Sequence, residues 1–286
     1  MQLSVSLRDH INARRLLTAL VTCALLVSTS LAQCKPTRIM SWKEYSRLHP
    51  NWPYVVRINS PRTKLVYYGA SHTYSPDDPQ LIEIEKLWVE FHPELAFNEG
   101  GNPPIEKSRD DAVKKYGEPG LIRFLAHRDH VPVTSIDQSR AEEVAFLLKR
   151  FSPERVKLFF ILRVVAQQIQ NHPNDSLEDE LKRVFAIFND TPGLNVTPAS
   201  IVELETSYTR TFPNGGDYKK ASLSWFDPVK SENFLNEISR QLNIYRDQYM
   251  VALIARHVME GQRVFAVVGG THVVMQESAL RKLLRN

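Results

Sequence analysis

The chain has 286 residues, 43% hydrophobic and 24% charged, with a formal net charge of +4. These proportions exclude a disordered or fibrous chain and supply a core large enough for one domain, or one large domain with insertions. The balance is too slight to mark a nucleic-acid partner: Arg8, Arg14 and Arg15 and a single acid, Asp9, fall in residues 1–32, so the remainder carries +2.

In chain order, three arginines precede the apolar run "LLTALVTCALLVSTSLA", which is short for a membrane span and ends on small residues. The pattern predicts a signal peptide over residues 1–32 and a secreted or periplasmic domain over 33–286. "LAQC" leaves open a lipid anchor on Cys34, and membrane attachment is expected only through that lipid or through a retained signal. Cys23 lies within the signal and Cys34 stands alone after it, so the exported part has no internal disulfide and relies on its core.

"YVVRI" (54–58) and "KLVYYG" (64–69) flank a Ser-Pro turn and predict a hairpin. Leu81, Ile84, Leu87, Trp88 and Phe91 fall at helical spacing between Pro79 and Pro93. "ELAFNEGG" predicts a short strand ending at Glu99. Residues 103–128 read as mostly helical, and "VPVTSID" (131–137) as a strand followed by Asp137, a residue suited to capping the helix after it. Three helical patterns in series predict an all-helical insertion over about 139–211. A long helix then runs from about Asp227 to Glu260, with Leu242, Tyr245, Tyr249, Leu253 and Val258 as its packed face, and Gly261 stops it. "RVFAVVGG" reads as a buried strand and "ESALRKLL" as a final helix. Strands alternating with helices predict an α/β fold: a mixed, largely parallel central sheet with helices on both faces and a helical insertion.

Functional groups of open α/β sheets gather beyond the carboxyl ends of the strands. His72, Glu99, Asp137 and His272 each follow one predicted strand. Two of them close the same pattern, G-x-x-H, at "GASH" (69–72) and "GGTH" (269–272), against about 0.3 matches expected by chance from this composition. Gly69 and Gly269 are expected to let the chain turn sharply off each strand. Arg246 and Asp247 are read from spacing as a salt-bridged surface pair, with the alternative that Arg246 reaches the sheet to hold a carboxylate or stabilise developing negative charge.

"YYGASH", "AFNEGG", "YRDQYMVALI" and "FAVVGGTHVVMQESALRKLL", in that order, resemble the signature segments of the TraB/Tiki superfamily, which takes in PrgY and GumN-like proteins and is related to erythromycin-esterase-like and ChaN-like proteins. The likeness runs from about residue 54 to 284. It implies a divalent-metal-dependent hydrolase, peptidase-like, with His72, His272 and Glu99 as metal ligands, Glu99, Arg246 and Asp247 as catalytic residues, and Mn, Co or Zn as the ion. Two imidazoles and a carboxylate leave a position open for an acidified water. The partners then expected are peptides or small-molecule esters and amides, with no nucleic acid. Two alternatives stand beside this reading. One is a metal-free, erythromycin-esterase-like hydrolase with His72 or His272 as base; Ser71 lacks the G-x-S-x-G setting of a nucleophile. The other is a ChaN-like haem binder without catalysis, using Tyr67, Tyr68, His72 or Met275.

Overall fold

The computed structural model describes residues 38–171 and 174–285. The signal peptide assigned to 1–32 and the lipid site assigned to Cys34 lie outside them. No described helix is long and apolar enough to cross a membrane.

A capped turn of helix, α1 (Trp42–Tyr45), leads into the hairpin β1 (Tyr54–Asn59) and β2 (Lys64–Ala70). Helix α2 (Pro79–Phe91) then precedes β3 (Leu95–Asn98), and α3 (Arg109–Arg128) precedes β4 (Val133–Ser135). Four helices follow: α4 (Arg140–Leu147), α5 (Pro153–Asn171), α6 (Leu177–Asn189) and α7 (Ile201–Thr211). The long α8 (Phe234–Met259) feeds β5 (Arg263–Gly269), which runs directly into α9 (Gly270–Leu283). The five strands stand in the order β1-β2-β5-β3-β4, antiparallel at the β1–β2 hairpin and parallel elsewhere. This is the mixed α/β sheet expected from the sequence.

Alternation along the strands divides two cores. Leu65 and Tyr67 of β2 and Val264, Ala266 and Val268 of β5 face α8 and α9, against Met250, Ile254 and Leu280. Val66, Tyr68, Phe265 and Val267 face the other way, against Leu81, Trp88, Leu121 and Leu125 of α2 and α3. Both faces are therefore covered, which explains why β2 and β5 read as continuous apolar runs. A third core lies in the helices after β4. It continues past residue 211 through Tyr218 and Phe226 to Leu235, Ile238 and Leu242 of α8, so the helical part is larger than the 139–211 segment expected. The reason is that α8 is shared: its first turns pack in the helical core and its last turns on the sheet.

Three local expectations are corrected. The helical stretch 109–128 is two helices joined at Gly117, whose φ of 62° is left-handed and whose neighbour Pro119 cannot continue the first one. The last helix starts at Gly270, seven residues before "ESALRKLL", so His272 lies in its first turn. On α8 the buried face is Leu242, Arg246, Asp247, Met250, Val251, Ile254, Ala255 and Val258, whereas Tyr249 is exposed. The charged pair belongs to the packed stripe, and the surface reading of Arg246 and Asp247 fails.

Candidate active site

The register pairs Gly69 with Val268 and Ala70 with Gly269, so both G-x-x-H turns leave adjacent parallel strands at one level. Neither glycine serves the turn as expected. Gly269 has φ of −56°, open to any residue, and neither position is left-handed. Closeness is what requires Gly69, and it makes Gly269 tight against two side chains. A Cβ on Gly69 would stand 2.8 Å from Gly270 Cα and 2.9 Å from Tyr54 O. One on Gly269 would stand 3.2 Å from His72 Nε2 and 3.4 Å from Glu99 Oε2, so both side chains border this residue. Gly69→Ala is accordingly expected to cost about 1–3 kcal/mol as an overpacked backbone contact. Denaturant unfolding checks this, and an unchanged midpoint would mean that β2 and α9 separate without strain.

Glu99, at the end of β3, is fixed by three donors. Gly269 N–H donates to its Oε2 at 2.7 Å, Arg246 Nη2 donates to its Oε1 at 2.7 Å, and His272 Nε2 stands 3.5 Å from Oε1. Burial opposes its charge, but the charges of His272 and Arg246 win and hold the carboxyl well below the usual range. Arg246 reaches from α8, with Nη2 also donating to Asp137 Oδ1 at 2.6 Å and Nε 3.7 Å from Glu143. Asp137 caps no helix; Ser139 caps α4 instead. Asp137 Oδ2 accepts from Gly100 N–H at 2.7 Å, Gly101 N–H at 3.2 Å and Ser135 Oγ at 2.9 Å, which ties the "NEGG" turn to the end of β4. Gly100 and Gly101 both have positive φ, so here the glycines do supply the turn.

His272 is buried with a carboxylate on each ring nitrogen. Nδ1 lies 2.6 Å from Asp247 Oδ1, and Nε2 faces Glu99. Burial lowers the pKa of the imidazolium, yet Glu99 and Asp247 outweigh it and raise it to about 9. Asp247, fully buried, also accepts from Gln276 Nε2 at 2.7 Å, and Gln276 Oε1 accepts from the Tyr67 hydroxyl at 2.8 Å. This chain of bonds orients the ring, and Arg246 and Asp247 serve two different partners rather than each other.

His72 sits on the exposed side of the same centre, with Nε2 toward Gly269. Its Nδ1 is 3.4 Å from Glu118 Oε2, and Glu118 Oε1 accepts from Thr73 N–H at 2.7 Å. The bond to Glu118 raises the His72 pKa above its ordinary value despite partial desolvation. Glu118 is buried and follows the Gly117 break in α3, which turns it toward the loop after β2. Sequence reasoning missed it, although "YGEPG" (116–120) in a helical stretch was the available signal. Gln276 and Arg163 were also missed, because nothing in local spacing sets them apart.

His72, Glu99, Arg246 and His272 line a cleft of about 680 Å³, with Trp42, Trp52 and Phe226 on its walls. Glu99 and Arg246 also line an adjoining cavity of about 470 Å³ toward α4 and α5. Of the residues considered for haem, Tyr67, Tyr68 and Met275 are buried in the core, and only His72 reaches the cleft. The donor set His72, Glu99 and His272 suits a divalent ion in kind, and each imidazole has the outer carboxylate partner that metal-bound histidines use. In spacing it does not: among the described residues no three His, Cys, Asp or Glu side chains stand as a coordinating group. No protein-family model, no curated protein and no solved structure matches the chain.

Proposed function

We propose that the protein is an exported hydrolase of ester or amide bonds, and that water is activated by His72. The observation that carries this reading is that His72 Nε2 and Glu99 both border Gly269 in one cleft, beside the cationic pair Arg246 and His272. His72 Nε2 accepts a proton from water as the water oxygen bonds to the carbonyl carbon, and Glu118 supports the imidazolium. Arg246 and His272, held charged by buried carboxylates, offer fixed positive charge to the oxyanion, as do the uncapped first N–H groups of α9. Collapse breaks the bond to the leaving group, which takes the proton from His72. The likeness to the TraB/Tiki superfamily, carried by four short segments, agrees with hydrolysis, and the peptidase-like, secreted or periplasmic assignment rests on that likeness and on residues 1–32.

The metal-assisted reading is kept on one observation, the carboxylates behind both imidazoles. To hold Mn²⁺, Co²⁺ or Zn²⁺, His72, His272 and Glu99 would have to close from the spacing seen here, and the ion would supply an acidified water and a Lewis acid. His272 would first have to give up its proton.

The test is turnover of a panel of p-nitrophenyl esters and peptide amides by residues 35–286, with metal content determined on the same sample. His72→Ala, checked for folding, is expected to lower turnover by about 10²–10⁴-fold, the usual worth of a positioned base. Activity that survives a chelator supports the acid–base reading, whereas loss of both metal and activity supports the metal reading. A folded wild-type protein that turns over nothing, with and without added metal, sinks both.

A further inference from the structure

Arg163 projects from α5 to the boundary of the two cavities and lines both, in company with Glu99, Gln167 and Arg246. It is partly buried, and among the described residues no acceptor lies within hydrogen-bond or ion-pair distance of its guanidinium. The neighbouring acids are already engaged. Glu143 is bonded to Arg140 at 2.7 Å, and Glu99 is held by Arg246 and Gly269. Burial and then the like charge of Arg246 work against the charged form of Arg163, bringing its pKa down to about 10, so it is still a cation at neutral pH. A partly buried guanidinium with an open fork of donors and no protein partner among the described residues is an arrangement that an incoming anion completes.

We propose that Arg163 binds a carboxylate of the substrate, so that the bond hydrolysed lies in a molecule carrying one carboxylate and an apolar group. The planar fork matches a carboxylate in two-point contact, and Gln167, one helical turn along α5, adds an amide on the same wall. A monoanion is the better fit, since Glu99 and Glu143 flank the position and repel a dianion. The apolar part is received by the rest of the larger cleft's lining, where Trp52 and Val229 are exposed and Trp42 and Phe226 are buried. This deepens the hydrolase reading by naming its substrate class, but its test is binding, not turnover.

The probes are N-acetylphenylalanine and its neutral carboxamide, titrated calorimetrically into residues 35–286. A charge-assisted two-point contact predicts that the carboxylate binds about 10- to 100-fold tighter than the amide. Arg163→Gln, checked by circular dichroism and thermal melting, is expected to bring the two affinities to within about twofold. If that variant does not fold, Arg163→Lys replaces it; the charge without the fork must reduce the preference and leave part of it. Equal affinities in the wild type, an undiminished preference in the folded variant, or no binding of either probe at millimolar concentration each overturn the proposal. None of these outcomes bears on whether the protein hydrolyses esters or amides, which turnover decides separately.

Discussion

Arg246→Leu is expected to lower the stability of the protein at pH 7 by about 3–5 kcal/mol, the cost of removing one partner from a buried ion cluster. Arg246 Nη2 donates to both Glu99 and Asp137, and Nε stands 3.7 Å from Glu143. Leucine fills much of the volume, so the loss arises from three carboxylates that lose a shared cation rather than from a cavity, although Glu143 keeps Arg140 and Glu99 keeps His272. It should therefore depend on pH. Glu99 has its folded pKa held well below 4.5, so its contribution is fully present above 4.5 and is lost as pH falls through the folded value. In the variant that depression is weakened, and the gap between the two proteins should close as pH is lowered below about 4.5. Urea unfolding at pH 7 and at acid pH measures both. A deficit smaller than about 1 kcal/mol at pH 7 would place Arg246 among solvent-screened surface pairs and remove it from the site.

The second large effect runs the other way along the pH scale. His272 has its folded pKa raised from 6.5 to about 9 by Glu99 and Asp247, against the effect of burial. A raised pKa contributes stability that is fully present below 6.5 and is lost as pH rises through 9, and the shift corresponds to about 3 kcal/mol. The attraction between His272 and Glu99 also depresses Glu99, so it is counted once. His272→Gln keeps a hydrogen-bonding side chain without the charge, and its stability should be flatter between pH 6 and pH 10 than that of the wild type. Titration of the His272 ring protons by NMR in metal-free protein gives the pKa directly. An ordinary value near 6.5 would defeat the imidazolium and, with it, the cationic pair assigned to the oxyanion.

The four strand ends and the fold class were legible because they rest on local chemistry. β2 and β5 announce themselves as apolar runs, and His72, Glu99 and His272 follow strand ends within three residues. Arg246 and Asp247 were legible as residues, and the reach of Arg246 to the sheet was only the alternative to a surface pair, because spacing did not decide between them. A helix repeats every 3.6 residues, so whether Tyr249 or Met250 marks the buried stripe depends on what packs against it. The glycines of the two G-x-x-H turns were found for the wrong reason: a left-handed φ is a local property, but the lack of room for a Cβ on Gly69 beside Gly270 belongs to a strand and a helix 200 positions apart in sequence. Gln276 and Arg163 could not be selected, since each acts across a contact between distant elements, and Glu118 carried only the signal of the glycine and proline that flank it.

By itself, then, the sequence determined the elements, the turn at "NEGG" and the supply of imidazole and carboxylate at the strand ends, because propensity, periodicity and spacing act within a few residues. The strand order β1-β2-β5-β3-β4 was decided only by tertiary structure, and it seats β5 between β2 and β3. That placement puts His72 and Glu99 on either side of the Gly269 turn. It also draws Arg246, Asp247 and Glu118 in from helices whose local sequence does not set which partners they meet. Burial and charge pairing among residues far apart in the chain depend on packing, and packing exists only once the whole sheet has formed.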